Sequence, residues 1–338
     1  MWTEQALDAM LAEPSDALVE DIRKIEGNIL VLGAGGKMGP SLCVLIRNAC
    51  ERAGIKKEII AVSRFSDPIA TAYLKEKGIT LVSADLLDEE QVKALPDADN
   101  VIFMAGRKFG TDGQESITWA MNAVVPANAA RRFAKARTVV FSSGNIYPMV
   151  PLASGGATEK TPTSPVGEYA MSCLARERVF EYYSRERGLP ILLYRLNYAV
   201  DLRYGVLHDI ARSILEGTPV PLATGVVNLL WQHDANEIAV RSLLHTGTPP
   251  TILNVTGPET LSVRAIAEEL GQHLGKKPVF SGEESPMAFI NNAAKATELF
   301  GYPTVSVRTM IRWQAEWLLQ NGRSLGKPTH FEERKGSF

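Results

Sequence analysis

The 338-residue chain has few cysteines, few histidines and no long apolar run. Its three cysteines, Cys43, Cys50 and Cys173, are too scattered for a disulfide framework or a zinc site, so a reducing, cytoplasmic setting is expected. The five histidines form no metal-ligand spacing, and no metal is expected. No apolar stretch approaches the roughly 20 residues that span a bilayer. Residues 1–26 carry acidic side chains where a signal peptide has a basic start and an apolar centre. With 36 basic against 38 acidic residues, the net charge of −2 gives no electrostatic footprint for nucleic acid or an anionic membrane. A small molecule is the expected partner.

What is present is an apolar content of 45%, ample for a large core in a chain of this length. Helical periodicity over 4–25, interrupted by Pro14, predicts two short helices. From 28 to 142, strand-like runs (28–32, 58–63, 80–84, 100–104, 138–142) alternate with helix-like stretches (40–52, 69–77, 89–95, 117–136). That alternation predicts an α/β fold, a Rossmann-type doubly wound parallel sheet covered on both faces. A loop over 148–165, a helix over 166–187 and an apolar strand over 190–196 follow. The expected organisation is a helical extension (1–26), a dinucleotide-binding domain (27–200) whose sheet later segments complete, a smaller C-terminal substrate lobe (201–322) and a polar, poorly packed tail (323–338).

Between the first strand and its helix lies Gly33-Ala34-Gly35-Gly36-Lys37-Met38-Gly39. Glycine permits a tight turn and close approach to a pyrophosphate, whose oxygens then face free N–H groups at the helix start. Ligands of such sheets bind outside the carboxyl ends of the strands, which directs attention to the other strand ends. The second offers Ser63-Arg64, suited to a ribose 2′-phosphate, so NADP is favoured over NAD, although Arg64 also fits a solvated loop. The third offers Asp85-Leu86, where Asp85 either accepts from an adenine amino group or caps a helix. The fourth runs into Ala105, Gly106 and Lys108, a backbone shelf with a cation that reaches phosphate or ribose. The fifth ends in Ser142-Ser143-Gly144-Asn145-Ile146-Tyr147, whose hydroxyls can hold a substrate oxygen.

Taken together these residues resemble the extended short-chain dehydrogenases/reductases, the NAD-dependent epimerase/dehydratase family, over about 28–317. The family's G-x-x-G-x-x-G falls on Gly33, Gly36 and Gly39, its helix asparagine on Asn122, and its catalytic serine on Ser143. Its tyrosine falls on Tyr169, and Leu193-Tyr194-Arg195-Leu196-Asn197 is similar to the segment bordering nicotinamide and substrate. The resemblance implies Tyr169 as proton donor or acceptor and Ser143 as holder of the reacting oxygen. It further implies Asn197, Asn145, Tyr147 and Trp231 at the substrate, and Leu196 beside the cofactor. It also implies a homodimer through helices 117–136 and 166–187.

Two departures stand out. The family's Y-x-x-x-K reads Tyr169-Ala-Met-Ser-Cys173. A phenol with its ordinary pKa of about 10 is roughly 0.1% ionised at pH 7, and Cys173 supplies no fixed positive charge. Either Tyr169 works as a neutral acid, or another cation substitutes, or proton transfer is no longer its task; Cys173 itself is either a small packing residue or, in an electropositive niche, a reactive thiol. The second departure is Leu230 near the place where family members set an arginine on a nucleotide-sugar diphosphate. An apolar wall cannot balance that charge. The expected activity is therefore an NAD(P)-dependent oxidoreductase or epimerase acting on a small sugar, sugar acid or hydroxy-carbonyl compound without a nucleotide. A catalytically silent NAD(P)-binding sensor and a nucleotide-sugar epimerase or dehydratase are the alternatives. Trp231 and His233 either line the pocket or pack inside the lobe.

Overall fold

A computed structural model describes residues 2–108 and 113–336. Seven parallel strands form the central sheet: β1 (Ile29–Leu32), β2 (Ile59–Ser63), β3 (Thr80–Ser83), β4 (Asn100–Phe103), β5 (Arg137–Ser143), β6 (Ile191–Leu196) and β7 (Thr251–Val255). Their order is 7-6-5-4-1-2-3, so the chain reverses direction across the sheet between β1 and β4, where open α/β sheets present a crevice. The expected α/β class is the observed one. β7 comes from the second half of the chain and closes one edge against β6, with Leu253 opposite Tyr194.

β1 is apolar along its whole length and β4 and β6 are mostly so, as strands buried on both faces require, while the edge strand β3 is exposed at its ends. Helices α2 (Asp16–Lys24), α3 (Gly39–Arg52) and α10 (Gln232–Arg241) cover one face through Leu18, Ile22, Leu42, Ile46 and Ala239. Helices α5 (Glu89–Lys93), α7 (Val125–Arg132) and α8 (Gly167–Arg187) cover the other, where Phe180 meets Phe103 edge to face. A second core joins α1 (Glu4–Leu11) to the lobe helices α9 (Val206–Glu216), α11 (Val263–Leu274) and α13 (Val307–Leu319). Pro14 separates α1 from α2, and the two halves of the extension serve different cores: Leu7 and Leu11 the lobe, Leu18 and Ile22 the sheet.

The expected helix over 117–136 is divided. α6 (Glu115–Trp119) passes into a π-helical turn at Ala120–Val124 before α7 begins. Pro126, near the start of α7, has no N–H to give the preceding turn, and the wider turn accommodates that loss. The larger correction concerns the tail. Its described residues, 323–336, are docked: Phe331 and Thr329 are buried, and Arg334 donates to Ala223 O, Met287 O and Ser285 Oγ. Polar composition suggested loose chain, yet these polar groups find backbone and side-chain acceptors on the lobe.

Candidate active site

Gly33 has φ +88°, a conformation open to glycine, and a Cβ there would stand 2.6 Å from Ala105 N. The β1 turn therefore lies directly against the shelf after β4. A Cβ on Gly39 would strike Ala34 O at 2.2 Å, so this glycine lets α3 pack onto the turn. α3 starts at Met38 without a side-chain cap, leaving N–H groups of its first turn open to an anion. Lys37 and Lys108 border the same groove. A dinucleotide pyrophosphate fits this cradle: bare backbone, an uncapped helix and two lysines.

Across the groove, Ser143 at the end of β5 and Tyr169 in the first turn of α8 line the same cavity. Tyr169 also packs against Cys173, one turn further along α8. Burial, reinforced by Cys173, pushes the phenol well above its ordinary value, while the nearby Arg176 guanidinium pulls the other way. Tyr169 is thus a protonated donor at neutral pH. Burial likewise raises the Cys173 thiol, which packs against Ile146, Tyr147 and Ala157. Cys173 is a packing residue; its sulfur stays protonated and does not act as a reactive thiolate.

Ser143 and Tyr169 open into a cavity of about 310 Å³ that Asn145, Leu196 and Asn197 also line. The docked C-terminal segment brings Lys327 and Thr329 to this cavity. Thr329 is fixed by two bonds to Asp209 Oδ2, from its N–H at 2.7 Å and its hydroxyl at 2.6 Å, and its carbonyl accepts from Lys108 Nζ at 3.4 Å. Burial pushes Lys108 down to about 8. Lys37 stands 3.2 Å from the centroid of the Tyr204 ring, and burial, together with the charge of Lys108, holds it well below its ordinary value. Three lysines therefore converge on the mouth of one cavity, an arrangement suited to anions.

Several expected site residues are elsewhere. Tyr147 is 1% exposed, with its hydroxyl bound to Asn254 Oδ1 at 2.8 Å and Arg195 Nη1 at 2.5 Å. It is a buried hub and does not line the cavity. Trp231 is 1% exposed and packs edge to face on Trp313, so it belongs to the lobe core. His233 bonds Glu13 O at 2.6 Å and ties α10 to the N-terminal extension. Asn122 is fully buried; its amide bonds Arg107 N, Arg107 O, Ser172 Oγ and Arg176, so it shapes the groove wall. Asp85 accepts from Leu87 N at 3.0 Å, and the cap of α5 is Asp88 instead. Ser63 lies beside Gly35 at the end of β2, Arg64 is exposed next to it, and Leu86 is buried beneath. Lys327, Thr329, Tyr198, Tyr204 and Arg176 carry no motif and were invisible to sequence reasoning.

The crevice at the strand reversal, the glycine cradle and the cavity shared by Ser143 and Tyr169 define a dinucleotide-binding α/β protein. A family model described as the NAD dependent epimerase/dehydratase family matches residues 29–255, and the chain belongs to that family. Its fold is similar to that of dTDP-glucose 4,6-dehydratase from Streptomyces venezuelae with NAD bound: TM-score 0.74 and 18% identity, over 87% of this chain and 97% of that one. UDP-glucuronic acid 4-epimerase from Bacillus cereus, in complex with UDP-glucuronic acid and NAD, gives 0.70 and 21% over 87% and 99%. A curated relative, 2-alkyl-3-oxoalkanoate reductase of Shewanella oneidensis, is 29% identical over 188 residues. That match covers 55% of this chain and 40% of the relative, so the chain spans less than half the length of the protein it matches. No helix among the described residues is long and apolar enough to cross a membrane.

Proposed function

We propose that the protein is an NAD(P)-dependent oxidoreductase or epimerase acting on a small sugar acid or related hydroxy-carbonyl anion that carries no nucleotide. The observation that carries this reading is the single cavity shared by Ser143, Tyr169 and the convergent Lys37, Lys108 and Lys327. Gly33, Gly36, Lys37, Met38 and Gly39 hold the dinucleotide's phosphates, with Ala105, Gly106 and Leu196 along its nicotinamide end. When bound, the nicotinamide supplies a hydride donor or acceptor. Ser143 holds the reacting oxygen, Tyr169 gives it a proton or takes one back, and Asn145 and Asn197 orient the substrate. Lys327 meets the acid group.

Leu230 is fully buried, and the docked segment 324–332 covers the adjoining lobe, which supports a compact substrate over a nucleotide-linked one. The exposed Arg64 beside Ser63 supports NADP over NAD. A homodimer is part of the reading. Met171 and Tyr182, eleven residues apart on one face of α8, are 44% and 60% exposed, and a second copy of the chain would cover them.

Mass spectrometry of small molecules that co-purify with the protein tests the reading, followed by turnover of the recovered acid. The expected result is a nicotinamide nucleotide together with a hydroxy or keto acid that the wild type converts and Tyr169→Phe does not. Recovery of a nucleotide sugar as the converted ligand would overturn the substrate class.

A further inference from the structure

Arg176 lies on the same face of α8 as Tyr169 and Cys173, at positions i, i+4 and i+7. It is 6% exposed. Nη1 donates to Phe141 O at 2.7 Å and Nη2 to Asn122 Oδ1 at 2.6 Å, while Nε has no partner. Both acceptors are uncharged. Among the described residues no carboxylate forms an ion pair with it, and its neighbour Glu177 is committed to Arg195. A buried guanidinium held only by neutral acceptors works against stability.

The charge does not sit deep in the core. Arg176 lines the groove between Gly33, Met104, Tyr169 and Leu196, a space of about 200 Å³. A Cβ on Gly106 would stand 2.3 Å from Arg176 Nη2, so the glycine after β4 keeps this edge of the guanidinium open. Asn122, spent on Arg107 and Ser172 as well as Arg176, fixes its position.

We propose that Arg176 is a resident cation of the reaction centre and binds an oxygen of the nicotinamide nucleotide beside Tyr169. The inference rests on the dinucleotide reading above. It accounts for the thiol at 173: the positive charge reaches the groove from one turn further along the helix. It also assigns Asn122 as a positioning residue, acting through Arg176.

Calorimetric titration of the full chain with NADP+ and NAD+ tests it, using wild type, Arg176→Met, Arg176→Lys and Cys173→Lys/Arg176→Met. Thermal melting is followed with and without nucleotide. Arg176→Met is expected to bind the preferred nucleotide about 30-fold more weakly, the loss of one charge-assisted hydrogen bond. Arg176→Lys loses less, and the double variant recovers most of the affinity by delivering an ammonium from the same helix face. Without nucleotide, Arg176→Met melts no lower than wild type, whereas a merely structural arginine would lower the melting temperature and leave affinity intact. Unchanged affinity in Arg176→Met, with wild type binding normally, overturns the role of Arg176 alone. Absence of binding in wild type overturns the dinucleotide reading itself, and the role of Arg176 with it.

Discussion

Glu177 and Arg195 are joined by two contacts, Nη2 to Oε2 at 2.7 Å and Nε to Oε1 at 3.0 Å, in a pair that is 0% and 3% exposed. The pair fastens α8 to β6, and Arg195 passes on to the Tyr147 hydroxyl and so to Asn254 on β7. The helix bearing Tyr169 is thereby registered against the strand bearing Leu196. Removing one partner strands a buried charge. Glu177→Gln or Arg195→Met is expected to cost about 3–5 kcal/mol in denaturant unfolding, whereas a double replacement by apolar residues costs much less. Near-equal losses in single and double variants would show that the pair contributes by packing alone.

Lys108 gives binding a pH dependence. With its ammonium pushed down to about 8, it goes from about nine-tenths charged at pH 7 to about one-tenth at pH 9. Affinity for the nicotinamide nucleotide is expected to weaken about tenfold over that interval, and Lys108→Arg to flatten the profile. The sign for folding is opposite. Between about 8 and the unfolded value near 10.5 the unfolded chain holds the extra proton, so the unliganded protein gains stability as pH rises through that window. Binding constants and melting temperatures across pH 6.5–10 check both slopes.

The docked C-terminal segment depends on Asp209, which takes two hydrogen bonds from Thr329. Asp209→Ala is expected to release residues 324–332 and with them Lys327 from the cavity. Hydrogen exchange read by mass spectrometry should show these amides at least about tenfold less protected, while those of β1 and β5 are unchanged. Unaltered protection in the variant would mean that Phe331 and Arg334 hold the segment without Asp209.

Much of the architecture was legible because it follows from strong local signals. Ile29–Leu32 is a wholly apolar strand that ends in glycine, Pro14 breaks one amphipathic pattern into two, and a 21-residue helix ends at Gly188 with φ +70°. The site was legible where backbone geometry demands a residue type, as at Gly33 and Gly39, or where a strand ends, as at Ser143. It was illegible where a side chain's surroundings come from distant segments. Tyr147 follows a strand end as substrate residues do, and Trp231 stands at the start of a helix, yet Arg195 and Asn254 enclose the one and Trp313 the other. Lys327 and Thr329 belong to a polar stretch whose only signal is composition, and they reach the cavity through Asp209, 120 residues away from Thr329. Arg176 was hidden in a run of charges, Arg176-Glu177-Arg178, that reads as a solvated helix flank. The fold instead buries the first two and leaves the third exposed.

The central claim is that a nicotinamide dinucleotide occupies the groove lined by Gly33, Gly36, Met104 and Gly106. Titration calorimetry on purified, ligand-stripped protein with NADP+, NAD+ and their reduced forms tests it most directly. Saturable one-to-one binding, tighter for the phosphorylated pair, is the predicted result. Absence of saturable heat with all four would contradict the account.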